Sequence, residues 1–151
     1  MNTNELINYF EKKYNKKINE FDYIEWDKIS EFQYLSEKFI EKYKNLVNWD
    51  YISTYQKLSE KFIEKYKNKV DLHCISKYQI LTEKFIEKYE NELDWYYISR
   101  NQKLSGEFIN KYKKNFYFTH ISKENKINYL QYKVKNNIIS NSEYLKELLK
   151  L

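Results

Sequence analysis

The chain has 151 residues, 42% hydrophobic and 32% charged, and a net charge of +5. Zero proline and one glycine argue against a fold of tight hairpins, and 19% aromatic residues argue against a disordered chain, which is poor in rings. The one cysteine, Cys74, cannot form an intramolecular disulfide, which fits a reducing compartment.

The N-terminal stretch M-N-T-N-E-L-I-N-Y-F lacks a basic region followed by an apolar core, so no signal peptide is read. No apolar run approaches the roughly 18 residues of a spanning helix. The expectation is a soluble, cytoplasmic protein without a membrane partner, in the host cell if the chain is viral.

In chain order, residues 1–25 form a divergent first repeat. Leu6, Phe10 and Tyr14 match Leu35, Phe39 and Tyr43 at a spacing of 29, so about six extra residues, N-K-K-I-N-E, precede Trp26. From there to residue 122 a period of 23 holds: Phe39, Phe62, Phe85, Phe108; Ile52, Ile75, Ile98, Ile121; Gln33, Gln56, Gln79, Gln102. A fixed period of this length marks a repeat array. Within one copy the apolar positions Trp49, Ile52, Tyr55, Leu58, Phe62, Ile63, Tyr66 and Val70 follow helical spacing.

Asn48, Asp71 and Asp94 stand where N-caps belong. Ile-Ser-x-x-Gln, as in Ser53 with Gln56, reads as a second start through a capping box. The expected repeat is therefore a short helix over 49–53 and a longer one over 54–68. The alternative is one bent helix with Ser53 bonded back to a carbonyl. Ser36, Ser59, Thr82 and Ser105 read as places where neighbouring helices approach closely. Residues 123–151 form a C-terminal cap of two further helices. The expected fold is all-α: a single-domain α-solenoid of about five short-helix/long-helix repeats with irregular ends.

No phosphate loop, HExxH, CxxC or Ser-x-x-Lys is present, so neither a catalytic site nor a cofactor is expected. His73 beside Cys74 has no third or fourth metal ligand in view. The E-K-F-I-E-K-Y-K runs read as a solvated face in which a Lys42, Lys65, Lys88, Lys111 column lies beside a Glu41, Glu64, Glu87 column.

Two features point to binding. The framework columns barely change, whereas the pairs Asp50-Tyr51, His73-Cys74, Tyr96-Tyr97 and Thr119-His120 do, which fits either binding through an extended repeat surface or neutral drift at exposed sites. Residues 110–137 carry seven lysines and one glutamate, which is the whole basic surplus. Lys111, Lys113, Lys114, Lys123, Lys126, Lys133 and Lys135, interleaved with Phe116 and Tyr117, suit nucleic acid, an acidic protein partner, or solubility at a capping end.

The pattern D-W-x-x-I-S-x-x-Q-x-L-S-x-x-F-I, present as D-W-Y-Y-I-S-R-N-Q-K-L-S-G-E-F-I at Asp94 to Ile109, resembles tandem repeats of proteins from large DNA viruses and AT-rich mobile genomes. The resemblance covers residues 26–122, with Leu72 and Phe118 in place of tryptophan and Gly106 in place of glutamate. It implies no general activity and no site residues. What it implies is a virus- or phage-encoded binding protein, for instance an inhibitor of a host defence complex. The expected function is thus non-enzymatic binding of a protein partner, such as a host nucleoprotein complex, with RNA or DNA binding as the alternative.

Overall fold

The computed structural model describes residues 2–32 and 34–151, so the glutamine read at Gln33 lies outside the described residues. Among the described residues every regular element is a helix. The chain divides into two compact units, residues 1–79 and 80–151. The first holds α1 (Thr3–Tyr14), a 3-10 turn (Ile18–Glu20), α2 (Tyr23–Glu31), α3 (Glu37–Lys42), α4 (Trp49–Tyr55), α5 (Glu60–Lys65) and α6 (Leu72–Tyr78). The second holds α7 (Glu83–Lys88), α8 (Trp95–Asn101), α9 (Gly106–Lys111), α10 (Lys123–Lys135) and α11 (Asn141–Leu148).

In the first unit α1 starts on a capping box between Asn2 and Glu5 and stops at Asn15, whose φ of 51° ends the helix in the left-handed region. The extra residues of the first repeat are a short loop followed by the 3-10 turn Ile18–Glu20. Ile18 donates its backbone N–H to the Glu11 carboxylate at 3.0 Å, which helps hold that Glu11 carboxyl below its usual range. Leu6 and Phe10 are buried, and Phe10 contacts the Phe39 ring of the next repeat at 6.1 Å.

Asn48, Asp71 and Asp94 cap α4, α6 and α8 as the sequence predicts, each accepting backbone N–H groups of the first turn. The second start lies elsewhere. The longer helix expected over 54–68 does not form, because Gln56 is extended and α5 begins only at Glu60. Ser59 is its N-cap, accepting from Phe62 N at 3.2 Å, and Ser36, Thr82 and Ser105 repeat that bond. These small residues are caps, not close-approach points. Both helices of the repeat are short, seven residues in α4 and six in α5.

Ser53 and Gln56 join one repeat to another. The Ser53 hydroxyl donates back to Trp49 O at 2.7 Å and accepts Asp71 N at 3.0 Å, so it ties the end of one first-type helix to the cap of the next. Ser30 does the same with Trp26 O and Asn48 N. The buried Gln56 amide accepts Leu35 N at 3.1 Å and donates to the carbonyls of Ser30 and Phe32. Gln79 repeats the clamp on Leu58 N, Ser53 O and Gln56 O. In the second unit Leu81 N donates to Gln102, and Asn125, 23 residues later, clamps Leu104 N, Ser99 O and Gln102 O.

Each of these clamps satisfies three backbone groups, one carbonyl in the last turn of a helix and two groups in the loop after it, none of which has a helical partner, which is why a buried amide is tolerated there. Around the clamps lie the apolar columns. Ile52, Ile63, Ile75, Ile86, Ile98 and Ile109 are almost wholly buried, as are Phe39, Phe62, Phe85 and Phe108. Trp49 stacks on Phe62 and meets Tyr66 at a tilt, and Trp95 does the same with Phe108 and Tyr112. No described helix is long and apolar enough to cross a membrane.

Candidate functional site

The variable positions occupy the first turn of α4, α6 and α8 and the stretch before α10. Helix starts place them there: the cap residue and the apolar residue after it are fixed by folding, and the next two side chains lie outside the core columns, exposed or half-buried. In the first unit α4 lies against α6, and the Asp50 carboxylate is close enough to act on the Cys74 thiol. Asp50, Tyr51 and His73 are exposed and Cys74 is half-buried. Burial, with the nearby Asp71 and Asp50 carboxylates, pushes the Cys74 thiol up and keeps it protonated, while a hydrogen bond with Thr54 opposes the shift. Cys74 Sγ lies 3.5 Å from Asp71 Oδ2.

In the second unit the variable residues gather more closely. The Tyr96 ring is 5.1 Å from Tyr97, 5.1 Å from His120 and 6.1 Å from Tyr117. Its hydroxyl accepts from Arg100 at 3.2 Å, one helical turn further along α8. Thr119 stands outside this ring cluster but bonds the His120 imidazole at 2.9 Å. Tyr117, grouped with the basic residues in the sequence, joins this cluster and is 54% exposed. Arg100 was missed, although its i+4 spacing from Tyr96 is the signal that would have found it.

The basic residues do not form one surface. Lys111 is paired with Glu87, as Lys65 is with Glu41, so the lysine and glutamate columns cross-link repeats. Those bonds hold Glu41 and Glu87 below the usual carboxylate range. Phe116 is a correction: it is buried, packed on Trp95 at 5.3 Å, and so is a core residue without a surface to offer a partner. Phe118, in register with the tryptophans, is instead 41% exposed. Lys113 and Lys114 are exposed in the turn after α9, Lys123 is exposed at the start of α10, and Lys135 is exposed at its end.

Lys126 and Lys133 are half-buried along α10. They line a cavity of about 270 Å³ with Phe118, Tyr129, Leu130, Glu147, Lys150 and Leu151. Among the described residues no group of three His, Cys, Asp or Glu side chains is placed to hold a metal ion. No protein-family model, curated protein or solved structure matches this chain.

Proposed function

We propose that the protein is a non-enzymatic binding module whose partner is a protein, engaged through the variable first-turn residues. The observation that carries this reading is the ring cluster in which half-buried Tyr96 and Tyr97 meet exposed Tyr117 and His120, with exposed Arg100 at its edge. Aromatic residues and arginine dominate the energetic centres of protein interfaces, because they bury large area at low entropy cost. The framework serines and glutamines are already committed to joining repeats, so recognition falls to the columns that vary. The more specific form of the reading, drawn from the resemblance of the repeats, is a virus- or phage-encoded inhibitor of a host defence complex.

Nucleic-acid binding through Lys113, Lys114, Lys123 and Lys135 is the second reading, favoured by their exposure within the basic segment. Pairing of Lys111 with Glu87 and burial of Phe116 remove one phosphate contact and one stacking ring from it. The test is capture of partners by the tagged protein from its natural host, with and without nuclease, beside a Tyr96→Ala/Tyr97→Ala variant. The expected result is one protein complex that survives nuclease and weakens about tenfold or more with the variant. A yield that collapses under nuclease replaces this reading with the nucleic-acid one.

A further inference from the structure

The cavity between α10 and α11 belongs to neither the ring cluster nor the repeat-joining framework. Its floor is apolar, formed by Leu130, Phe118 and Tyr129. Three ammonium groups, Lys126, Lys133 and Lys150, stand around it against one carboxylate side chain, Glu147. Lys150 lies 2.6 Å from Glu147, and Lys133 sits over the Tyr129 ring at 5.1 Å. Glu143, also on α11, feels the Lys133 charge as well. At about 270 Å³ the cavity lies just below the range of roughly 300–1,000 Å³ typical of small-molecule sites. It suits one or two side chains better than a whole cofactor.

The walls discriminate between classes of occupant. Tyr129 is flanked by Lys133, by Phe118 at 5.7 Å and by Tyr132 stacked at 6.5 Å, so little of its ring face is left for a base. A DNA backbone brings no hydrogen-bond donor to Glu147, and an RNA backbone brings only its 2′-hydroxyls. An extended peptide brings N–H donors, which a carboxylate with several lone pairs can accept, and carbonyl or carboxylate acceptors for the lysines. We infer that this cavity receives an acidic segment of a protein partner, with an apolar side chain seated on Leu130 and Phe118 and flanking carboxylates on Lys126 and Lys133. The inference rests on the protein-binding reading and adds the partner's chemistry to it.

The test is fluorescence anisotropy with the full chain and a labelled, end-capped peptide in which leucine and phenylalanine sit between pairs of glutamates. Two comparison probes are used: the same peptide with serine at both apolar positions, and an oligouridylate of equal charge. Saturable binding of the first peptide is expected, at least about tenfold weaker for the serine peptide and at least about tenfold weaker in Lys126→Gln/Lys133→Gln. Lys126→Gln alone, which keeps the stem on the surface, serves if the double variant melts early. Equal binding of both peptides, tighter binding of the oligouridylate, no saturable binding, or indifference to the lysine variants overturns the inference. Should the partner captured from the host be lost by Tyr96→Ala/Tyr97→Ala yet kept by Lys126→Gln/Lys133→Gln, this inference fails while the protein-binding reading stands. Nuclease-sensitive capture fails the binding reading itself.

Discussion

The repeat α4–α5–α6 in the first unit and the segment α8–α9–α10 in the second are built on the same columns, yet they pack differently. In the first, Glu60 starts a six-residue α5. In the second, Gly106 stands at the equivalent position, and a Cβ there would lie 2.3 Å from Asn128 O and 2.4 Å from Tyr132 Cβ. The missing side chain lets the thirteen-residue α10 lie directly on α9, where Asn128 donates to Leu104 O at 2.8 Å and Asn110 to the Tyr132 hydroxyl. The clamp survives the change, with the shorter Asn125 reaching the same three kinds of backbone group as Gln56. A repeat can therefore change its second helix and its neighbour's length while the amide clamp stays fixed. What is indispensable is the satisfaction of loop backbone groups, not the glutamate face.

The largest effect is expected from Gln56→Ala, which strands Leu35 N and two carbonyls in the core. At about 1–3 kcal/mol for each buried group left unmet, the loss should reach about 3–5 kcal/mol, read as a lower midpoint in urea. A loss below about 1 kcal/mol would mean water replaces the clamp and the comparison fails.

Gly106→Ala should follow, at about 1–3 kcal/mol from overpacking against α10, whereas Glu60→Ala should stay within about 0.5 kcal/mol. Equal melting temperatures for the two variants would show that α10 is free to shift. Ser53→Ala and Ser59→Ala come next. The first orphans Asp71 N in the interior and the second removes a cap, each worth about 1 kcal/mol, with Ser53 the costlier because it is fully buried.

The smallest effect concerns the exposed pairs. Glu87 is held below its ordinary value by Lys111, so any stabilisation it brings is present above about pH 4.5 and is lost as pH falls through the lowered value. The difference in melting temperature between the wild type and Lys111→Gln should therefore shrink toward zero on acidification, and also in about 1 M salt, where screening is short-ranged. A difference that persists at low pH would assign Lys111 a role other than this pair.

The period of 23, the helical spacing and the caps at Asn48, Asp71 and Asp94 were legible because each depends on residues near in sequence. The all-helical architecture and the buried isoleucine and phenylalanine columns follow from them. Ser53 and Gln56 were misread for a physical reason. A serine three residues before a glutamine fits a capping box locally, but Ser53 bonds back to Trp49 O, the carbonyl bond of the bent-helix alternative, and forward to Asp71 N, while Gln56 bonds to groups 21 to 26 residues away.

The same limit applies to the candidate site. Varied positions could be picked out by comparing copies, but the clustering of Tyr96 with Tyr97, Tyr117 and His120 depends on how the segment after α9 folds back. Phe116 and Phe118 are two residues apart in an identical-looking aromatic run, and only packing on Trp95 buried one and exposed the other. The sequence by itself determined the helices, the repeat and its core columns, since these arise from local periodicity and capping. Tertiary structure decided which backbone groups Gln56 clamps, why residue 106 must be glycine, and which lysines are paired, exposed or turned into the α10–α11 cavity. Each of those depends on a backbone or charge brought close by the next repeat, and spacing along the chain does not encode that distance.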